Sequence, residues 1–230
     1  MRNAGERVAI GGADARKIVT VLRLREGDAV ELIDSTGTLF EAGLHVDGNA
    51  VSATLLSSRP AEAIAARSID VAQAVPKGQK MDFVIEKISE LGARAMLPFY
   101  SERSVAREAG PAKIDRWRRV ARAAAQQCGR NSILDVSPPV AFEALLGRFD
   151  AYDVVLFPWE LAPAEPLRVT LPPLVESAGR ILIVVGPEGG FSHAEADAAG
   201  ARGAHLLWLG SRILRTETAA MVLLSVLEYL

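Results

Sequence analysis

The sequence predicts an α/β protein with a parallel sheet, preceded by a small β domain. Residues 181–185 form a continuous apolar, β-branched run, which is typical of a strand buried on both faces. From residue 69 onward, similar runs alternate with helical patterns, as in a parallel sheet covered by helices. Residues 29–56 instead hold three strand patterns separated by turn residues. We therefore expect one domain over residues 1–66 and a second over residues 67–230.

Composition indicates a globular chain with a real core. Half of the 230 residues are hydrophobic and 23% are charged. The single cysteine, Cys128, excludes an internal disulfide framework and fits a reducing compartment. No apolar run approaches the roughly twenty residues of a membrane span, and the first residues lack a secretory segment. We expect a cytoplasmic protein that does not associate with membranes.

The charge is unevenly distributed along the chain. The net charge is −2, but residues 101–130 hold eight Lys/Arg against three Asp/Glu, and residues 131–230 hold six against twelve. A basic segment on an otherwise acidic protein indicates local contact with phosphates rather than wrapping of a nucleic acid.

In the first domain, the spacing of Ile18, Val21 and Leu22 predicts a helix over residues 14–24. Strands are predicted over residues 29–33, 38–46 and 50–56, with turns at 34–37 and 47–49. Residues 59–68 are alanine-rich and predict a linker. Arg16 and Arg23 belong to a basic helix face, for which solvation and RNA contact remain equal alternatives.

The second domain begins with a repeating strand–helix pattern. Its predicted elements are a strand at 69–75, a helix at 81–91 that Gly92 ends, a strand at 95–100, a helix at 114–124 and a strand at 154–157. On the helix at 114–124, an apolar face lies beside the arginines Arg116, Arg119 and Arg122. A solvated face is the usual interpretation of such a stripe, but the surrounding charge favours an RNA-facing patch.

The most informative stretch is residues 181–220. The strand at 181–185 runs into residues 186–190, GPEGG, which predict a tight loop at its carboxyl end. Ser192 lies three residues before Glu195, the capping-box spacing, so a helix is predicted to begin at His193 and to end near Gly203. A second strand, residues 205–209, ends at Gly210. Thr216 or Thr218 is then predicted to cap a final helix, so that two strand ends build one pocket.

Taken alone, the glycine loop is compatible with a simple tight turn. It is not a P-loop, because no Gly-Lys-Ser/Thr follows, and it is not the Gly-x-Gly-x-x-Gly dinucleotide fingerprint. The absence of that fingerprint counts against a rival interpretation as a dinucleotide-dependent oxidoreductase.

Residues 186–191, GPEGGF, together with residues 209–220, LGSRILRTETAA, resemble the C-terminal signature of RsmE-type 16S rRNA uridine-N3 methyltransferases. These belong to the SPOUT superfamily of S-adenosylmethionine (SAM) enzymes. The stretches VLRLREGD, VPKGQKMDFVIEKISELGARAMLPFYSERSV and KIDRWRRVARAAAQQCGR are also similar to this family. The resemblance implies a trefoil-knotted α/β domain, a preceding PUA-like β barrel that contacts RNA, and a homodimer. The implied partner is 16S rRNA within the assembled small ribosomal subunit.

The resemblance also implies a set of functional residues. Transfer of a methyl group to uridine N3 requires loss of the N3 proton, so Arg215 is predicted to stabilise developing charge, and Glu217 and Glu188 to accept a proton or to bind loop amides. The predicted SAM-binding residues are Leu156, Pro158, Glu160, Gly186, Pro187, Glu188, Gly189, Gly190, Leu209, Gly210, Ile213, Leu214, Arg215, Thr216 and Thr218. The predicted RNA-binding residues are Arg16, Arg23, Lys77, Lys80, Arg103, Arg119, Arg122 and Arg130.

No metal is predicted, because the three histidines His45, His193 and His205 show no ligand spacing. Two alternatives share most of these features. One is a SPOUT-type methyltransferase that acts on another RNA, and the other is an RNA-binding protein without catalysis. The paired glycine loops count against the second alternative.

Overall fold

The computed structural model describes residues 3–34, 38–48, 50–59, 67–105 and 109–230. The chain divides into two compact units, Met1–Ile64 and Ala65–Leu230. The predicted boundary at residue 66 and most of the predicted linker lie outside the described residues. So do residues 35–37 and 49 of the two predicted turns.

The described part of the first unit contains an antiparallel sheet of four strands. They are β1 (Arg7–Ile10), β2 (Ala29–Ile33), β3 (Leu39–Asp47) and β4 (Ala50–Arg59), in the order β1-β4-β3-β2. The three predicted strands are confirmed. Strand β1 was not predicted, because it has only four residues and buries only Val8. The sheet packs its apolar face around Phe40, Leu44 and Leu55.

The predicted helix over residues 14–24 is only partly correct. A short helix, α1 (Gly12–Arg16), passes into a π-helical segment, Lys17–Leu22, which Arg23 ends with a positive φ of 54°. The wider turn alters which residues share a face. Ile18 is buried as expected, whereas Val21 and Leu22 are exposed.

The second unit begins with alternating strands and helices. The strands are β5 (Ser68–Ala74), β6 (Ala95–Tyr100), β7 (Asp135–Val136), β8 (Val140–Ala141), β9 (Val154–Pro158), β10 (Arg180–Val185) and β11 (His205–Leu207). The helices are α2 (Lys80–Glu90), α3 (Pro111–Cys128), α4 (Phe142–Leu146), α5 (Leu167–Val175), α6 (His193–Ala201) and α7 (Thr216–Glu228), with a 3-10 turn at Phe149–Ala151.

All strand pairs of this unit are parallel, as predicted. The strand order is β11-β9-β10-β5-β6-β7, and β8 pairs with the end of β6. In β10, Ile181, Ile183 and Val185 belong to one core cluster, and Leu182 and Val184 belong to another. The sheet is therefore buried on both faces, as the unbroken apolar run indicates.

Helices cover both faces of the sheet. Residues of α2, α3, α5 and α7 pack in one cluster, and residues of α4 and α6 pack in the other. In α7, Leu224 and Leu227 are buried in the core. Helix α5 was not predicted, because Pro172 and Pro173 lie within it and interrupt the helical signal. Within the described ranges, no helix is both long and apolar enough to span a membrane.

Candidate functional site

The site lies at the point of the sheet where the connections between strands lead to opposite sides. From β5 the chain continues to β6 on one side, and from β10 it continues past β9 to β11 on the other. Open α/β sheets form ligand crevices at the carboxyl ends of strands at such a point. A cavity of about 640 Å³ opens there, lined by the loops that follow β9, β10 and β11 and by Lys80 of α2.

The loop after β10 depends on its glycines for physical reasons. A Cβ at Gly190 would lie 2.6 Å from the Glu160 carboxylate, and Gly190 has a positive φ of 66°. A Cβ at Gly186 would lie 2.9 Å from the ring of Phe191, which stacks on Phe99. These two positions therefore bring the loop backbone close to its neighbours, which a larger residue would prevent.

The start of α7 is joined to this loop through the Thr216 side chain. The Thr216 hydroxyl donates a hydrogen bond of 2.5 Å to the Gly186 carbonyl and accepts one of 2.7 Å from the Gln73 amide. The prediction that Thr216 or Thr218 caps α7 is therefore wrong. Arg215 occupies the N-cap position and makes no side-chain capping bond. The Thr216 hydroxyl instead bonds to Gly186 and Gln73, which are distant in the sequence.

The loop after β6 supports the glycine loop from another side. Arg103 donates from Nη1 to the Gly189 carbonyl over 2.9 Å. The backbone N–H of Glu102 donates to Glu195, which also forms the predicted capping box with Ser192. Helix α6 thus begins at His193 as predicted, and its cap holds two loops together.

Two carboxylates of the cavity lining face one lysine. Glu188 Oε1 lies 3.1 Å from Lys80 Nζ and accepts a 3.1 Å hydrogen bond from the Lys77 backbone N–H. Partial burial raises the pKa of Glu188. The hydrogen bonds from its own backbone N–H, from Lys80 and from Lys77 together outweigh that effect, so its pKa lies below the usual value.

Glu217 occupies the first turn of α7 and is more deeply buried. Its side chain is 13% exposed, and its Oε2 lies 3.8 Å from Lys80 Nζ. Its Oε1 lies 3.9 Å from Arg215 Nη1, whose side chain is 82% exposed. Oε2 is buried and has no hydrogen-bond partner among the described residues. Lys80 Nζ is too distant to donate a hydrogen bond to this oxygen, so an acceptor position remains open at the cavity.

Two further residues escaped the sequence analysis. Trp159 lines the cavity, and its buried indole N–H lacks a hydrogen-bond partner in the described part of the chain. Gln73 is fully buried within β5, and its side-chain amide oxygen, Oε1, is likewise unpaired there. A glutamine inside an apolar strand was the one signal that pointed to Gln73.

Most predicted SAM-binding residues are brought together. Those that line the cavity are Pro158, Glu160, Gly186, Pro187, Glu188, Gly189, Gly190, Leu209, Gly210, Ile213, Leu214, Arg215 and Thr216, and Glu217 lines it as well. Leu156 is fully buried in the core. Neither Leu156, which lies inside its strand, nor Thr218 is part of the lining.

The predicted RNA-binding residues fall into different environments. Arg16, Arg23, Lys77, Arg119 and Arg122 are exposed. Lys80 and Arg103 contact the cavity loops. Arg130 donates to the carbonyls of Ser89 and Ala93 at the end of α2, which gives it a structural role. In the described ranges, no group of three or more His, Cys, Asp and Glu is placed to hold a metal ion.

The sequence of the second unit matches a known protein family. Residues 64–228 match the family described as the RNA methyltransferase domain, and the chain belongs to that family.

Its relatives include ribosomal RNA small subunit methyltransferase E of Bacillus subtilis, 32% identical, with 96% of this chain and 89% of the relative covered. The Mycobacterium bovis protein of the same name is 31% identical, with 96% and 86% covered. A crystal structure of ribosomal RNA small subunit methyltransferase E from Neisseria gonorrhoeae bound to S-adenosyl methionine is also similar. Its TM-score is 0.89 and its identity 28%, with 100% of this chain and 94% of that chain covered.

Proposed function

We propose that this protein is a SAM-dependent methyltransferase that modifies N3 of a specific uridine in the 16S rRNA of the small ribosomal subunit. The observation that carries the proposal is the convergence of the loops after β9, β10 and β11 on one cavity. The relatives named above cover nearly the whole chain, including all three loops, and one of them was crystallised with SAM.

The residues present are suited to SAM. The volume of about 640 Å³ lies in the usual range for a small-molecule site. The lining combines apolar groups such as Ile213 and Leu214 with loop backbone groups, which suits an adenine ring. The unpaired Trp159 indole N–H and Glu217 Oε2 offer a donor and an acceptor to a polar ligand.

SAM, when bound, supplies a methyl group already activated on a sulfonium. The chain must therefore align the acceptor, exclude water and manage one proton. Arg215 stands at the exposed rim of the cavity, where its guanidinium can stabilise negative charge that develops on a uracil oxygen. It is the candidate catalytic cation.

Glu217 is the better of the two candidate proton acceptors. Glu188 already accepts hydrogen bonds from Lys77 and Lys80, and its lowered pKa makes it a weak base. Glu217 Oε2 accepts no hydrogen bond among the described residues, since Lys80 Nζ lies 3.8 Å away. We therefore assign proton acceptance to Glu217 and a loop-binding role to Glu188.

RNA contact is proposed for both units. In the second unit, exposed Arg119 and Arg122 lie on the solvent face of α3, opposite the buried Trp117. In the first unit, exposed Arg16 and Arg23 flank the π-helical segment. We infer that the first unit is a PUA-like barrel over residues 1–66 that contacts rRNA, and that the protein acts in the cytoplasm on the assembled subunit.

The knot and the dimer are proposed with it. Support for a trefoil knot in the domain over residues 67–230 comes from the position of β10 between β5 and β9, and from the return of α7 to pack on β10 and α2. Support for a homodimer comes from exposed apolar side chains of this unit that do not line the cavity, including Val169, Tyr229 and Leu230. Light scattering of the purified protein tests the dimer.

The decisive experiment uses methyl-labelled SAM and small subunits that lack the modification, with the product mapped by mass spectrometry. Label at one uridine, as N3-methyluridine, is the expected result. SAM binding without label on 16S rRNA would favour a methyltransferase for another RNA. The absence of any methyl transfer together with RNA binding would favour a non-catalytic RNA-binding protein.

Arg215→Ala tests the mechanism in the same assay. It is expected to lose about 10²- to 10³-fold in kcat while retaining SAM affinity, because removal of one charge-stabilising donor has an effect of that order. Arg168→Ala is the matched control, since Arg168 is an exposed arginine of α5 that does not line the cavity.

A further inference from the structure

Lys80 occupies an unusual place for a predicted RNA-binding lysine. It begins α2, and its Nζ lies 3.1 Å from Glu188 Oε1 and 3.8 Å from Glu217 Oε2. Its side chain is 40% exposed, so it reaches from the surface into the cavity lining. Its charge is already engaged by two carboxylates.

Those carboxylates belong to different parts of the site. Glu188 lies on the glycine loop after β10, and Glu217 lies in the first turn of α7. Because both lie within about 4 Å of one ammonium, they would repel each other without it. Lys80 thus links two of the loops that line the cavity.

Arg215 cannot take over this role. It is 82% exposed, lies 3.9 Å from Glu217, and shares no contact with Glu188 among the described residues. The two lysine and arginine distances to Glu217 are similar, but the Arg215 side chain is twice as exposed as that of Lys80, so its ion pair is more strongly screened by solvent. The backbone N–H of Lys77 holds Glu188 but does not reach Glu217. Lys80 alone bridges both carboxylates in the described part of the chain.

We propose that Lys80 is a positioning residue of the cofactor pocket, which holds the carboxylates of Glu188 and Glu217 in place, and not a contact to RNA phosphate. The inference rests on the proposed function only in naming SAM as the pocket's ligand. It predicts that loss of Lys80 acts on cofactor binding, with RNA binding left intact.

The first test measures SAM affinity by calorimetry without RNA. Lys80→Met is expected to weaken SAM binding by about 2- to 5-fold, the range for loss of a partly exposed ion pair, and Lys80→Arg, which keeps the charge, is expected to weaken it less. Lys87→Met is the matched control on the same helix, since Lys87 pairs with Glu86 and Glu90 and does not line the cavity. It is expected to bind SAM like wild type.

A double-mutant cycle tests whether Lys80 affects SAM binding through Glu188 or independently of it. If Lys80 acts through Glu188, the effects of Lys80→Met and Glu188→Gln on SAM affinity are expected to be less than additive. Additive effects would contradict the proposal. Thermal unfolding of each variant shows that the fold is retained.

The salt dependence of RNA binding tests the rival role. If Lys80 contacted an RNA phosphate, its removal would make the slope of log K against log salt less steep by about 1. Lys80→Met is expected to leave the slope unchanged. A lowered slope together with unchanged SAM affinity would overturn the proposal.

A ligand-free measurement keeps this inference distinct from the proposed function. The carboxyl titration of Glu188, followed by NMR, is expected to move to higher pH in Lys80→Met, because the neighbouring ammonium is lost. If wild type binds no SAM, the proposed function fails, whereas this titration still decides whether Lys80 holds Glu188.

Discussion

The Thr216 hydroxyl accepts a 2.7 Å hydrogen bond from the Gln73 amide, although the two residues lie 143 positions apart in the sequence. Because Gln73 occupies an acceptor site of the hydroxyl, the hydroxyl proton is directed to the Gly186 carbonyl. One buried contact therefore joins β5, the glycine loop after β10 and the start of α7. Two of these parts, the glycine loop and the start of α7, line the cavity.

Replacement of Thr216 by valine is expected to lower the free energy of unfolding by about 1–3 kcal/mol, because it leaves the buried Gln73 amide without this partner. SAM affinity should fall as well, since Gly186 loses its donor. Thr216→Ser keeps the hydroxyl and is the control. Chemical denaturation measures the stability, and a valine variant as stable as wild type would contradict the assignment.

Gly190→Ala is expected to destabilise the protein by about 1–3 kcal/mol through strain at its positive φ, and to weaken SAM binding. Its Cβ would also collide with the Glu160 carboxylate. Gly200→Ala is the control, because Gly200 lies in α6 with no atom near an added Cβ. That change should be neutral or stabilising by up to about 1 kcal/mol. Equal effects in the two variants would refute the role given to Gly190.

We expect two arginine variants to affect different quantities: Arg130→Met the free energy of unfolding, and Arg122→Met the RNA affinity. Arg130 donates to carbonyls at the end of α2, so its loss should lower the free energy of unfolding by about 1–3 kcal/mol. Arg122 is exposed and has no hydrogen-bond or ion-pair partner among the described residues, so its loss should reduce RNA affinity with little change in stability. Thermal unfolding measures the stability and a filter-binding titration measures the RNA affinity. If Arg130 contacted RNA directly, Arg130→Met would instead lower the RNA affinity and leave the stability unchanged.

The pH dependence of stability should show the contribution of the Glu188 carboxylate to the folded state. Its pKa in the folded protein is lowered below the usual 4.5 by its backbone N–H, Lys80 and Lys77, despite the opposing effect of partial burial. A lowered pKa stabilises the fold above about pH 4.5, and that stabilisation is lost as the pH falls through the folded-state value. Glu188→Gln should therefore show a shallower loss of stability below pH 4.5 than wild type. Glu176→Gln, an exposed change outside the cavity, is the control and should follow the wild-type curve.

The fold was predictable where local signals were strong. The unbroken apolar run of β10 indicated a buried parallel strand, and the Ser192–Glu195 spacing located the start of α6. Both signals are short-range, so the sequence expresses them directly. Helix α5, with two internal prolines, and the π-helical segment after α1 were missed or misjudged because tertiary packing overrides local preference there.

The sequence by itself predicted that two glycine-containing strand ends build one pocket, and it supplied more than half of the lining residues. Only the tertiary structure decided what the side chains do there. It assigned Thr216 to Gln73 and Gly186 rather than to a helix cap, Lys80 to two carboxylates, and Arg130 to the end of α2. The physical reason is that a polar side chain of a given type can cap a helix, bind a phosphate or satisfy a distant carbonyl. Which of these it does depends on partners that the fold brings from elsewhere in the chain.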